Sequence, residues 1–296
     1  MSSINPAVNV SGTLAALVLK RRIKKMLTYV FLAVLGFVMI YPLIWLFFAS
    51  FKPNSEIFGS AKLLPETWIM DSFARGWEVS GQFTFTVFLW NTVKLVAPTT
   101  FFTVLSGLLV GYGFARFNFP AKKFLFYLMI STLMLPNTVI LVPRYILFRN
   151  FGWLNSYLPF IVPAILAGYP FFVYLMIQFI RGIPRDLDDA AYIDGCNSFV
   201  VLTRIITPLS KPAVFSVIIF QSLWTWNDFF NVLIYINSVK KYPVSLALRM
   251  CLDTADRIEW NAVLAMSLVC MLPIALLFFG AQKYFVEGVA TTGLKM

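Results

Sequence analysis

Hydrophobic positions in this chain run on instead of alternating with polar ones. Six stretches, roughly 27–50, 88–115, 124–146, 157–180, 212–236 and 260–283, are almost wholly apolar. A run of about 20 apolar residues spans a hydrocarbon core of roughly 30 Å as a helix. Inside lipid a helix satisfies its own backbone groups. The pattern predicts an all-α polytopic membrane protein with six transmembrane helices. A β-barrel would show strands of about ten residues with alternating polarity, and that alternation is missing. The division is a tail at 1–26, a six-span body at 27–283 and a second tail at 284–296. Residues 1–19 read as a mobile tail or a short interfacial helix.

Composition agrees with this picture. Of the 296 residues, 59% are hydrophobic and 12% charged, against about 25% charged in an average soluble domain. The net charge of +11 does not point to nucleic acid, because the basic residues flank apolar runs. Lys20 to Lys25, "KRRIKK", precede the first run as in a signal peptide. That run of about 24 residues is longer than a signal core of 7–15, so it reads as a retained span. Counting Lys and Arg on alternate sides gives 14 against nine, and the richer side is expected to be cytoplasmic. Both termini then lie inside. The longest inner connection is 181–211, and the two large outer segments are 51–87 and 237–259. His is absent, which removes Ser-His-Asp triads, Cys-His nucleophiles and His-ligated metals. The three cysteines show no metal spacing, and no metal or catalytic residue is expected.

Four of the 13 acids fall between Asp186 and Asp194, in the inner connection. Pro184 suits a helix start, and Asp186, Asp188 and Asp189 suit the positive end of its dipole. Asp194-Gly195 is a turn signal, and Asn197 or Ser198 caps a second helix. Thr207 precedes Pro208 and is disfavoured as helix, so the second helix is expected to stop there. The loop is a two-helix knob with solvated acids. Leu187, Ala190, Ala191, Ile193 and Phe199 form its apolar surface. It serves either as a partner-docking element or as a hairpin on the headgroups. The acids disfavour the latter, since interfacial helices favour Lys and Arg.

"DAAYIDGCNSFVVLTRIITPLSKP" resembles the EAA loop of binding-protein-dependent ABC importer permeases. Ala190, Ala191, Asp194, Gly195 and Pro208 match, Asp189 stands where the family has Glu, and Cys196 stands in place of Ala. Four further stretches resemble the maltose-type sugar branch: "YPLIWLFFASFKPNSEIF", "YGFARFNFP", "TWNDFF" and "QKYFVEGVATTGLKM". The resemblance implies a type I importer permease in the bacterial inner membrane. Its EAA loop would be a coupling helix on a cytosolic ATPase, with Asp189, Asp194, Gly195 and Phe199 in the docking role. Partners would be a second homologous permease, two ABC ATPase subunits and a soluble sugar-binding protein. ATP and Mg would bind on the ATPase, and this chain has no G-x-x-x-x-G-K-S/T. The tail from Gly288 to Met296 would reach between the ATPase subunits, or be a disordered end.

Charges within apolar runs are functional suspects, and Asp228 and Lys94 are the two candidates. Asp228 shares a helical face with Gln221, Trp224, Thr225 and Tyr235 at about 100° per residue. That face suits a sugar path, or a polar seam between packed helices. Lys94 either snorkels to the interface or forms an anion-attracting entrance. The entrance reading would fit an acidic oligosaccharide such as alginate. The rivals are an ion-coupled secondary transporter and a membrane-embedded enzyme. Asp228 is the single acid within the six runs, which is poor provision for an ion carrier.

Overall fold

In the computed structural model, residues 7–78, 83–253 and 258–293 are described. They are helical in the main, as the apolar runs predict. In chain order the helices are α1 (Ala7–Ala49), α2 (Asn54–Gly59), α3 (Ser72–Trp77), α4 (Phe85–Arg116), α5 (Lys122–Met134), α6 (Asn137–Asn150), α7 (Leu158–Ile165) and α8 (Pro170–Arg181). Then come α9 (Asp186–Ile193), α10 (Ser198–Val201), α11 (Thr207–Leu209), α12 (Lys211–Trp226), α13 (Phe230–Tyr235), α14 (Val244–Asp253) and α15 (Trp260–Gly293). Four helical stretches are long and apolar enough to cross a membrane, and two bent pairs bring the number to six.

α4 is the central post, and its 32 residues reach about 48 Å at 1.5 Å each. It packs along α7, α8 and α12. Gly111 permits the crossing with α8. A Cβ there would stand 2.8 Å from the Cβ of Met176 and 3.3 Å from the Ile177 nitrogen. Small residues at such crossings let membrane helices approach closely. Ser106 donates to the Ala164 carbonyl at 2.7 Å, and Thr100 pairs with Ser222 at 3.1 Å. These bonds tie the middle of α4 to its neighbours on both sides.

The two ends of the bundle are built differently. At one end, 51–78 folds over the start of α15. Asn54 donates to the Ile258 carbonyl at 3.1 Å, Arg75 pairs with Glu259 at 3.2 Å, and Phe58 meets Trp260 edge-on. The segment 237–253 folds over the start of α4, where Asn91 donates to the carbonyls of Lys240 and Tyr242. At the other end α4 meets the 181–211 connection.

Several expectations need correction. The first helix begins at Ala7 and passes unbroken through Lys20–Lys25, so residues 7–19 are neither loose tail nor a separate short helix. The third span bends where its prolines predict a kink, and more sharply than a kink: α5 and α6 meet at 107° around Pro136, whose missing N–H and ring interrupt the helical ladder. The fourth span is broken at 166–169, where Ala167 takes φ +57°. The fifth ends at Trp226, and α12 at 16 residues is about 24 Å long, short of the core thickness. The helix after Asn197 does not stop at Thr207. It widens at Leu202–Ile206 into a π turn, with the Thr207 N–H bonded to the Leu202 carbonyl. That turn makes room for Pro208, which would otherwise clash with the carbonyl four residues back. The backbone of α15 continues past 283 to Gly293. Residues 1–6 and 294–296 lie outside the described part, so the tail expected to reach the ATPases falls partly there.

Candidate functional site

The 181–211 knob is joined to α4 by a small set of buried polar contacts. Asp188 is buried, and its carboxylate lies 2.6 Å from Arg116 Nε. Arg116 also donates to the Ile183 carbonyl at 3.0 Å. Arg185 donates back to the Ala115 carbonyl at 3.3 Å, and Tyr112 donates to the Ser198 carbonyl at 3.2 Å. Apolar packing fills the space between: Ala191, Val201, Leu202 and Ile206 join Tyr112, Ala115 and Ile180 in one cluster. Burial pushes the Asp188 carboxyl above its ordinary value, and Arg116 beside it pulls the other way.

The opposite side of the knob is bare. Asp189, Ala190, Asp194, Gly195 and Pro208 are exposed. Phe199 is 68% exposed and Ile193 86%, which leaves two large apolar side chains beside the turn. Gly195 takes φ +81°, the left-handed region that glycine enters without a Cβ penalty. Asn197 caps α10 by accepting from the Val200 N–H at 2.9 Å. Two sequence expectations change here. Asp188 is not among the solvated acids, because its helical position turns it toward α4. Ala191 is core and not outer surface. Of the predicted docking residues, Asp189, Ala190, Asp194, Gly195, Phe199 and Pro208 share the exposed part of the knob. Arg116 and Asp188 were missed as a pair. The signal was Arg116 inside "YGFARFNFP", read only as a boundary.

A cavity of about 950 Å³ lies among the bent third span, the break between α7 and α8, and the end of α12. Gln221, Trp224, Thr225 and Asp228 all line it, so the predicted face is brought together. Tyr235 is not there. It is buried and packs edge-on with Phe148 and Phe160. The chain turns at Asn227–Asp228, which breaks the single-helix periodicity. Asn227 donates back to the Leu223 carbonyl at 2.9 Å. Asp228 accepts from the Asn231 N–H at 3.1 Å. Adjacent Asn and Asp thus end one helix and start the next, as their side chains do elsewhere by competing for backbone groups.

The cavity also holds Arg144, Asn137 and Asn231, none of them foreseen. Arg144 is one of the nine bases expected on the outer side, among those that would attract an acidic oligosaccharide. The 107° bend carries it and Asn137 inward on α6, and prolines at 136 and 143 were the available signal. Arg144 lies within electrostatic reach of Asp228. Trp224 is half-exposed and sits on Phe171 and Phe172, with ring centres 5.2 and 5.0 Å away. Lys94 does not line this cavity. It is exposed on α4, its ammonium 5.7 Å from the centre of the Trp90 ring, an arrangement that suits snorkelling and not an entrance to this cavity.

Residues 103–291 match the model of a family described as the binding-protein-dependent transport system inner membrane component. A probable ABC transporter permease of Bacillus subtilis, YurM, is 33% identical over 90% of this chain and 87% of its own length. The arabinooligosaccharide permease AraQ of Halalkalibacterium halodurans is 30% identical over 89% and 94%. Among solved structures, a bacterial ABC transporter involved in import of the acidic polysaccharide alginate shares the fold. Its TM-score is 0.72 at 18% identity, covering 96% of this chain and 100% of that one.

Proposed function

Because the chain belongs to the family of binding-protein-dependent transport system inner membrane components, we propose that it is the permease subunit of an ATP-driven oligosaccharide importer. It works beside a second, homologous permease in a bacterial inner membrane, with both termini cytoplasmic. A soluble binding protein delivers the sugar to the outer face. Two cytosolic ATPase subunits bind ATP and Mg and perform the hydrolysis. The named cargoes of its relatives, arabinooligosaccharides and diacetylchitobiose among them, support a saccharide.

The knob at 181–211 is the coupling element. Its exposed face, with Asp189, Ala190, Asp194, Gly195 and Phe199, docks on the ATPase. Its opposite face is fixed to α4 through Asp188 and Arg116. A displacement of the knob therefore moves α4, and with α4 the helices α8 and α12 that wall the cavity. Closure of the ATPase pair tips the bundle between inward- and outward-facing forms. Gln221, Trp224, Thr225 and Asp228 belong to the path. The observation that carries this reading is the two-sided knob: one side bare, the other held to the central helix by a buried ion pair. An ion-coupled transporter would leave the bare side without a role.

The test is reconstitution of the full complex in proteoliposomes. Sugar uptake should require ATP on the ATPase side. Gly195→Asp should abolish sugar-stimulated hydrolysis or release the ATPase. Uptake by the permease alone on an ion gradient would overturn the reading.

A further inference from the structure

The relatives' cargoes do not set the charge class of this chain's substrate, and the charged residues of the cavity walls bear on it. Among the described residues, one acid and one base line the cavity, Asp228 and Arg144. The lining is thus balanced to zero net charge. Asp228 is held in place by its neighbour. The Asn231 amide nitrogen donates to both carboxylate oxygens, at 3.1 and 2.9 Å, and the Asn231 N–H adds a third bond. The carboxylate cannot swing aside for a second anion without losing these bonds. It retains lone pairs, since an ionised carboxylate offers about four acceptor sites. Sugar hydroxyls supply donors to such a group. Beside it stands Trp224, half-exposed and backed by Phe171, an apolar plate for the C–H face of a pyranose or furanose ring. At about 950 Å³ the space lies in the range of small-molecule pockets.

We propose that this cavity is a saccharide site that admits uncharged sugars and rejects uronates, with Asp228 as the discriminating residue and Arg144 as its counter-charge. A neutral sugar leaves the Arg144–Asp228 balance intact and hydrogen-bonds to both. A uronate brings a second negative charge beside a fixed one whose counter-charge is a single Arg144, and specificity often comes from such a repulsive element. The proposal deepens the importer reading and rests on it.

The test uses the purified complex of both permeases with the ATPase subunits, in detergent and without binding protein. Equilibrium binding is measured for radiolabelled neutral pentose and hexose trisaccharides and for a trigalacturonate of equal length. In the unmodified complex the better neutral sugar should bind at least about tenfold more tightly than the uronate, and Asp228→Asn should narrow that gap to about threefold or less. Arg144→Gln should widen it. Assembly is checked by size exclusion, and if Asp228→Asn does not assemble, the direction of the Arg144→Gln shift decides. Equal or tighter uronate binding, no binding of either sugar class, or a ratio unmoved by the variants that assemble would overturn the proposal. Hydrolysis stimulated by loaded binding protein is read in parallel. If stimulation persists while the selectivity fails, only the charge selection is wrong. If stimulation is absent, the importer reading itself falls.

Discussion

Asp188 and Asp189 are adjacent and chemically identical, yet one is buried against Arg116 and the other faces water. Neighbours on a helix point about 100° apart, and that rotation separates a buried carboxylate from an exposed one. Removing one partner of a buried ion pair leaves an uncompensated charge and costs about 3–5 kcal/mol. Arg116→Gln should therefore lower the melting temperature of the purified complex by leaving the Asp188 carboxylate buried without its partner, whereas Asp189→Asn should leave it near the unmodified value and weaken ATPase binding. The pH dependence has a definite sign. The Asp188 carboxyl is raised above its usual value of 3.8, with burial the largest cause. In the window just above 3.8 the folded chain then holds more protons than the unfolded one. This group's contribution to stability falls as pH rises through that window and is level above it. A pH series of melting curves should show the slope in the unmodified chain and lose it in Asp188→Asn. Asp194-Gly195 was legible as a turn because φ +81° at Gly195 is a local demand. The burial of Asp188 was not, because it depends on Arg116, 72 positions away.

At the level of elements, the contact between α4 and α8 is set by volume. Gly111 has no room for a Cβ, with Met176 at 2.8 Å. Gly111→Leu overpacks that crossing, and overpacking typically costs about 1–3 kcal/mol. The expected result is a lower melting temperature and reduced yield of assembled complex. Met176→Ala should not rescue it, because alanine keeps the Cβ that stands 2.8 Å from the added carbon. The breaks tell a similar story. Hydropathy located the spans, but it averages over windows and is blind to a bend. The prolines at 136 and 208 marked interruptions. Only the neighbours determined that one becomes a 107° turn and the other a π turn continuing the helix. Asn227–Asp228 was readable as a stop and start, had the capping chemistry been weighed against the apolar period.

For the whole molecule the decisive feature is that its two ends differ. The knob lies at one end, and the folded segments 51–78 and 237–253 cover the other. With the knob inside, a single cysteine at Asp194 should react with a membrane-impermeant maleimide only after the cytoplasmic face is opened. A cysteine at Glu66, which is exposed, should react in intact cells. Labelling of position 194 from outside would invert the topology. Both probes belong in a background without native cysteines. Cys251 would otherwise contribute slowly, its thiol pushed up to about 11 by burial, because the thiolate is the reactive form.

Sequence alone determined the medium and the machinery class. Apolar runs of bilayer length and flanking bases report a membrane bundle because transfer energies and helix rise act locally and add along the chain. The turn at Asp194-Gly195 was legible for the same reason, its demand for glycine being a property of one residue's backbone. Tertiary structure alone decided which acid is buried, how sharply the spans bend, and that Arg144 and Asp228 line one cavity. These are pairings between residues far apart in the chain. Their energies depend on distance and burial, which no local pattern of residue types encodes.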